Sequence, residues 1–510
     1  MKPIQIYWKI WLKFSRYFLN LNSKKTNNLN VVRIPVLNLP EIDNKNLKHY
    51  RIFDEEINLS RIDWKMDNKT KLFQYHIHYH DFLLYLNKDV GLSIIYDWID
   101  NNQPSRSFAW DPYTISLRVV NWIKFISRYQ IKDTKIVTSL FLQGEWLAKQ
   151  KEYHILANHL FKNIIALLYV GYFFQKKSWT NWALNNLKKQ VKEQLTDDGY
   201  HYEFSPTYHA IFVADTLDAY NLLINNLSQY RKDIIHFLQE RIKKSINWTQ
   251  YFSTNEKYHA INDVNYQDVP TPHQLFSYAE MLHIGTQELY NEDSRYYPIL
   301  RNGELKIMFY CAPINPPYNP SHSHADMLSV LLWNKDKPLL VDTGNYCYEE
   351  NMLREYSRST KAHNTVEIDG IDQCELWKAF RIGKRGILAN GKYTKNSLTC
   401  SYQYHERITL IHQRTIKNEE KSIIITDILK GDGKHSFILL FHFAPECTIE
   451  LNKNILTVEK KIKFILSNER IIIEKTPFFS EMYETEMIET VKISGTFYNK
   501  IVLETRIFPL

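Results

Sequence analysis

Cysteine is scarce and scattered in this 510-residue chain. Cys311, Cys347, Cys374, Cys400 and Cys447 form neither an evenly spaced disulfide framework nor a CxxC metal knuckle. A reducing compartment therefore suits it. No apolar run is long enough to span a bilayer. Zinc-finger spacing, a Gly-rich phosphate loop and an RNP-like strand are all missing, which removes the usual nucleic-acid motifs. A clean signal peptide is missing too, because Lys9, Lys13 and Arg16 break the apolar stretch Ile4–Leu21. The expected location is the cytoplasm or the inner-membrane face, with the periplasm as the rival.

What is present points to a large folded protein with a polyanionic partner. Hydrophobic residues make up 44% of the chain and aromatics 14%, which argues against long disorder. The length calls for two or three domains. Bases exceed acids, 64 to 56, for a net charge of +8. Such an excess suits a polyanionic partner, of which nucleic acid is one kind and an acidic polysaccharide another. Twelve Trp and 34 Tyr exceed core demand; they serve either as sugar-stacking platforms or reflect biased codon usage. Lys9, Lys13 and Arg16 fall on one face of an N-terminal helix, with Trp8, Trp11, Leu12, Phe18 and Leu19 on others. That helix is expected to dock on its own domain, with peripheral membrane contact as the alternative.

The texture of the chain changes once. Residues 1–60 form the basic helix and a polar connector containing Lys24, Lys25, Asn27 and Asn28. Over 61–297 helix-period apolar faces recur, at Tyr113–Tyr129, Thr138–Lys151, His159–Gln175, Asn181–Leu195 and Ala210–Leu227. Serial amphipathic helices must stack in pairs, as in an α-solenoid or an α/α toroid. Over 298–510 short β-rich runs take over: Ile307–Ala312, Leu328–Trp333, Pro338–Asp342, Thr365–Asp369, Ser422–Leu429 and Phe437–Phe443. Gly431-Asp432-Gly433 reads as a turn between the last two. The expected second half is an antiparallel β-sandwich.

Two clusters carry chemistry. In Ser321-His322-Ser323-His324-Ala325-Asp326 a strand would send both imidazoles to one face. Val341-Asp342 and Ala362-His363 add a carboxylate and a third ring. Two His and an Asp can hold a tetrahedral zinc, or make an Asp–His network without metal; the residues alone leave both open. In the helical half, Asn158-His159 opens one helix. Asp198-Gly199-Tyr200-His201-Tyr202-Glu203-Phe204-Ser205-Pro206-Thr207-Tyr208 precedes another, denser in polar and aromatic groups than a cap requires.

The stretches NHLFKNIIALLYVGYFF, DGYHYEFSPTYH, HSHADMLSVLLWNKDKPLLVDTGNYCYE and YSRSTKAHNTVEIDG resemble the heparinase II/III-like family. The likeness runs in order from about residue 60 to 390, then weakens to His412-x-Arg414. It implies an N-terminal incomplete α/α toroid, a C-terminal antiparallel β-sandwich and polysaccharide lyase activity. Asn158 matches the position that neutralises a uronate carboxylate, Tyr208 the tyrosine serving as base and acid, and His322 the second catalytic residue. His324, Asp342 and His363 match a metal set, usually zinc and largely structural. Tyr113, Arg118, Glu203, Arg358 and Trp377 are candidate substrate contacts, with Arg354 and Trp110 beside them, each of which a salt bridge or core packing would equally explain.

The chemistry accounts for these residue types. A uronate C5 proton is barely acidic beside a charged carboxylate, and a neutral donor such as Asn158 can polarise that group. A tyrosine base needs a nearby cation to lower its pKa from about 10. The expected activity is β-elimination on an acidic glycan, in capsule, O-antigen or exopolysaccharide metabolism. A non-catalytic glycan-binding or assembly protein on the same scaffold is the alternative. A hydrolase would need two carboxylates flanking one bond, and no such pair stands beside the His cluster.

Overall fold

The computed structural model describes residues 1–15, 32–40, 47–227, 231–267, 269–285, 294–405 and 409–510. The expected connector (Lys24, Lys25, Asn27, Asn28) and Arg16, Phe18 and Leu19 lie outside the described residues. So does the side chain of Lys13.

Helices fill the first half: α1 (Pro3–Ser15), α2 (Lys71–Ile77), α3 (Lys88–Asn101), α4 (Pro112–Tyr129), α5 (Thr134–Lys149), α6 (Ala157–Phe173), α7 (Lys177–Gln194), α8 (Pro206–Asn226), α9 (Lys232–Tyr251) and α10 (Pro272–Met281). Local signals set their ends. Asp111 caps α4 by accepting from the Tyr113 N–H, with Pro112 in the first turn, and Gln130 ends it in a left-handed conformation. Thr271 and Gln274 form a reciprocal capping box on α10. The five helices expected from periodicity are α4 to α8, each shifted by a few residues. Short α2 and α3 and the polar α9 were not anticipated.

Helix α6 is apolar on nearly every face and accordingly buried, packed against α4, α5 and α7. Its start is unusual. Leu156 has φ 68° and ψ −150°, and Ala157 follows at φ 49°. Such backbone in non-glycine residues costs about 1–3 kcal/mol each and persists only where surroundings enforce it. Helix α1 rests on the protein through Leu12, Gln5 and Trp8, whose ring stacks on Tyr153 at 5.0 Å. Ile4, Ile6, Tyr7, Ile10 and Trp11 stay exposed. Among the described residues no helix is long and apolar enough to cross a membrane.

The second half is antiparallel sheet. Ile299–Asn302, Leu305–Phe309, Val330–Asn334 and Lys337–Leu340 form a four-stranded sheet in sequence order. A larger sheet is built on two long strands, Ser422–His442 and Glu486–Pro509, paired from Ile423↔Ile507 to His442↔Thr490. Burial alternates along its strands, as in Ile411–Glu419, so one side faces a core. The turn expected at Gly431-Asp432-Gly433 is instead a bulge. Pairing skips from Lys430↔Lys500 to Lys434↔Tyr498, and Gly433 at φ +89° absorbs the extra residues. The strand continues because both flanks keep their partner.

Compactness divides the chain into two units. One comprises Met1–Tyr202, Ala210–Trp248 and Pro270–Gln287; the other comprises Glu203–His209, Thr249–Val269 and Glu288–Leu510. Two segments from within the helical span thus belong to the sheet-rich unit.

That unit contains a buried ionic knot. Arg414 meets Asp427 through Nε at 2.7 Å and Nη2 at 3.1 Å, and Nη1 donates to the carbonyls of Leu328 and Asn364. His412, two residues along the same strand face, meets Asp427 at 2.6 Å. Burial pushes the Asp427 pKa up, but Arg414 and His412 outweigh it and hold the carboxyl at about 2. Its folded pKa lies below the ordinary carboxylate value, so its stabilisation is complete above pH about 4 and is lost as pH falls toward 2. Arg414→Ala should cost about 3–5 kcal/mol by stranding Asp427. Urea unfolding at neutral pH tests this, and the deficit should shrink as the titration moves below pH 4.

Candidate active site

The sheet-rich unit gathers its chemistry around a residue that motif reading passed over. Asp263 is fully buried. One carboxylate oxygen lies 2.9 Å from His322 Nδ1 and the other 2.8 Å from His324 Nε2. Arg354 grips the same carboxylate with both Nη groups, Nη2 at 2.9 Å. Burial alone would raise its pKa; Arg354 and the hydrogen bonds from His322, His324 and Arg354 hold it well below the usual range.

The neighbouring backbone is bolted in place. Asn262, at φ 57°, donates to the Phe204 carbonyl and the Tyr310 hydroxyl, each at 2.9 Å, and accepts from the His324 N–H. Ser205 Oγ donates to the Asp263 carbonyl at 2.6 Å and caps the Tyr208 N–H. The Asp263 N–H donates to the His322 carbonyl. The His322-Ser323-His324 segment lies in a loop, not the expected strand, and its rings converge on Asp263 without sheet alternation.

Tyr208 and His322 are thereby brought together. Their rings lie 3.8 Å apart at the centroids, tilted by 30°. The Tyr208 hydroxyl meets that of Tyr348 at 3.1 Å. Asp263 engages His322 Nδ1, which favours the tautomer with Nε2 as the basic nitrogen. The expected cation that would lower the Tyr208 pKa is not at work here. Burial first, then Tyr348, Asp263 and Glu203, push the phenol well above 10. Arg354 is spent on Asp263, on Asn345 and on the carbonyl of Ala379.

The expected metal set lies beside this group. His363 Nδ1 meets Asp342 at 2.7 Å, and the His324 and His363 rings are 5.4 Å apart. His324 Nδ1, His363 Nε2 and Asp326 Oδ1 are buried without a hydrogen-bond partner. Burial pushes Asp326 up to about 7. Among the described residues no three His, Cys, Asp or Glu side chains are already arranged around one metal position. The orphaned nitrogens and nearby carboxylates are nonetheless donors of the kind zinc takes.

Asn158 belongs to the helical unit, one residue after the strained entry to α6. It is half-buried, and its Oδ1 accepts from the His159 N–H at 2.9 Å. His159 is held by buried Glu152 at 2.9 Å and packs on Tyr113 at 4.4 Å.

Several expected substrate contacts differ. Arg118 is wholly enclosed, donating to Gln143 and to the carbonyls of His78 and Ala109, with Trp98 against its face. Arg358 is likewise buried and donates to the carbonyls of Lys378, Ser323 and Arg381. Glu203 is enclosed as well, and Trp110 is core. The guanidinium groups of Arg118 and Arg358 donate to interior acceptors. Trp377 remains half-exposed, and Tyr113 is partly so.

Family models match in two blocks. Residues 45–283 match the heparinase II/III N-terminus and residues 292–497 the heparinase II/III-like C-terminal domain. The chain belongs to the heparinase II/III-like family. A heparin-sulfate lyase of Bacteroides stercoris is 24% identical over 320 residues, 53% of this chain and 46% of that protein, so the match spans about half of the relative. A crystal structure of heparinase III aligns over 100% of this chain and 92% of its own, with TM-score 0.73 and 16% identity. A heparan sulfate lyase from Pedobacter heparinus aligns over 91% and 81%, with TM-score 0.59 and 15% identity. The fold is therefore an α/α toroid followed by an antiparallel β-sandwich.

Asp263→Asn should leave Arg354 buried without its counter-charge and lower stability by about 3–5 kcal/mol. Urea unfolding measures it; a change no larger than that of a surface substitution would contradict the central role of this carboxylate.

Proposed function

We propose that this protein is a polysaccharide lyase that cleaves a uronic-acid-containing glycan by β-elimination, leaving an unsaturated uronate end. Family membership supports the lyase class. The observation that carries the reading is the Tyr208 ring packed on a His322 whose tautomer Asp263 fixes.

The residues divide the work as their environments suggest. Asn158 donates to the uronate carboxylate and spreads the charge that develops as C5 loses its proton. His322 Nε2 takes that proton. The electron pair forms the C4–C5 double bond and the C4–O4 bond breaks. Tyr208, kept neutral by its raised pKa, gives its phenolic proton to the departing O4. Solvent then returns a proton to Tyr208 and removes one from His322. Tyr208 acting as both base and acid is the competing assignment. It would require the bound substrate to reverse the upward pKa shift.

His324, Asp342 and His363 would hold a divalent metal, zinc by donor type, which clamps these segments when bound. Their part is structural: the metal would satisfy His324 Nδ1 and His363 Nε2. Capsule, O-antigen or exopolysaccharide processing is the setting proposed for the reaction.

Incubation with heparan sulfate, chondroitin sulfate, alginate and capsular polyuronates should yield new short-wavelength ultraviolet absorbance on at least one. Tyr208→Phe and His322→Ala should each lower kcat by about 10²–10⁴-fold. No product from any glycan, with binding unchanged by Tyr208→Phe, would establish a non-catalytic glycan-binding protein instead. Elemental analysis of purified protein should find about one metal per chain, and chelation should lower the melting temperature. Metal-free protein of unchanged stability would remove the metal assignment.

A further inference from the structure

Basic residues gather in two stretches of this chain: residues 1–40 hold seven and no acid, and α7 with α9 hold a second excess. Helix α7 carries Lys177, Lys188, Lys189 and Lys192 against Glu193. Arg231 and α9 carry five bases against Asp233 and Glu240. Together these account for an excess of six, out of a net +8 for the whole protein. Glu193, the single acid of α7, is paired with Lys2, just before α1.

The two helices enclose a groove of about 290 Å³. Lys188, Lys189 and Lys192 form one wall and Arg231 the other, with Asp233 as the acid in the lining. Leu184 and Ile234, both buried, make an apolar floor. Arg231 is steadied by Asn181 at 3.2 Å. Lys188 reaches Asp233 only at 3.9 Å, and no ion pair engages Lys189 or Lys192 among the described residues. The Phe237 ring lies 5.5 Å from Lys188, 5.9 Å from Lys192 and 5.7 Å from Arg241. Three cations on one ring, with two lysines one helical turn apart, repel each other and destabilise the free helix by a few tenths of a kcal/mol per pair. A polyanion relieves that repulsion.

We infer that the α7–α9 groove is an accessory binding site for the acidic polysaccharide chain, separate from the residues that perform the elimination. This rests on the lyase reading for the identity of the polyanion. The groove's form favours a glycan over other anionic polymers. Its floor is aliphatic, which suits the C–H faces of sugar rings. None of the described residues that line it is aromatic, and the nearby Phe237 ring is occupied by cations, so stacked bases find no platform. Its concave, charged lining is unlike the apolar helix face that inserts among lipids. The bound chain would hold long substrate near the enzyme between cleavage events, raising affinity without entering the chemistry.

The test uses the full chain with all three lysines replaced, Lys188→Glu, Lys189→Glu and Lys192→Glu, and a milder Lys→Gln triple. Binding to long alginate and heparan sulfate is measured across a salt series in the Tyr208→Phe background, so that no turnover intervenes. The expected result is a Kd raised at least tenfold for long chains, and a log K against log salt slope shallower by about two to three. With Tyr208 intact, kcat on a tetrasaccharide should be unchanged. Unchanged long-chain affinity and slope would overturn the proposal. So would single-stranded DNA of equal charge binding more tightly than either glycan and losing that binding in the variants. Failure of the lyase reading is distinguishable: the Tyr208 protein would release no unsaturated product from any chain while groove-dependent glycan binding persisted.

Discussion

One buried carboxylate organises the sheet-rich unit. Asp263 has no contact with water, and its charge is tolerable only because Arg354, His322 and His324 close around it. Taking a carboxylate out of water costs several kcal/mol, recovered only with near-complete hydrogen bonding. The cost brings three separate chain segments to one point: the loop holding His322 and His324, the short helix of Arg354 (Met352–Arg358), and the Asn262-Asp263 bend. Ser205 then ties the first turn of α8 to the same residue. Tyr208 meets His322 as a result of this charge balance.

Strain accompanies these positions. Leu156 and Ala157 precede Asn158, Phe204 precedes Tyr208, and Asn262 precedes Asp263, all with positive φ and none of them glycine. Backbone of this kind aims the following side chain in a direction ordinary helix entry would not give it. The surrounding packing, such as the enclosed α6 and the Asn262 bonds to Phe204 and Tyr310, is what keeps it in place.

Much of the fold could be read from periodicity. Helices α4 to α8 announce themselves through apolar faces repeating every three to four residues, and the change to alternating runs near residue 300 marks the sheets. Helix α9 is amphipathic to much the same degree as α7, so its pattern was equally legible and was passed over. Gly431-Asp432-Gly433 misled because turn residues also make bulges. Among the chemical residues, His322, His324, Asp342 and His363 stood out as rare side chains in dense motifs. Asp263 did not, because a lone Asp after Asn carries no spacing signal; its importance comes from contacts 59 to 91 residues away. The enclosure of Arg118 and Arg358 was illegible for the converse reason. A sequence cannot distinguish a guanidinium facing solvent from one that satisfies interior carbonyls.

The threading of the sheet-rich unit limits how this protein can be divided. Glu203–His209 and Thr249–Val269 lie within the helical stretch of the chain yet count with the sheets. A gene fragment beginning near residue 298 would encode the strands without Tyr208 or Asp263. Recombination at that seam would set His322, His324 and Arg354 of one parent around the Asp263 of the other. Both parents would have to match at a single ion cluster for the chemistry to pass on.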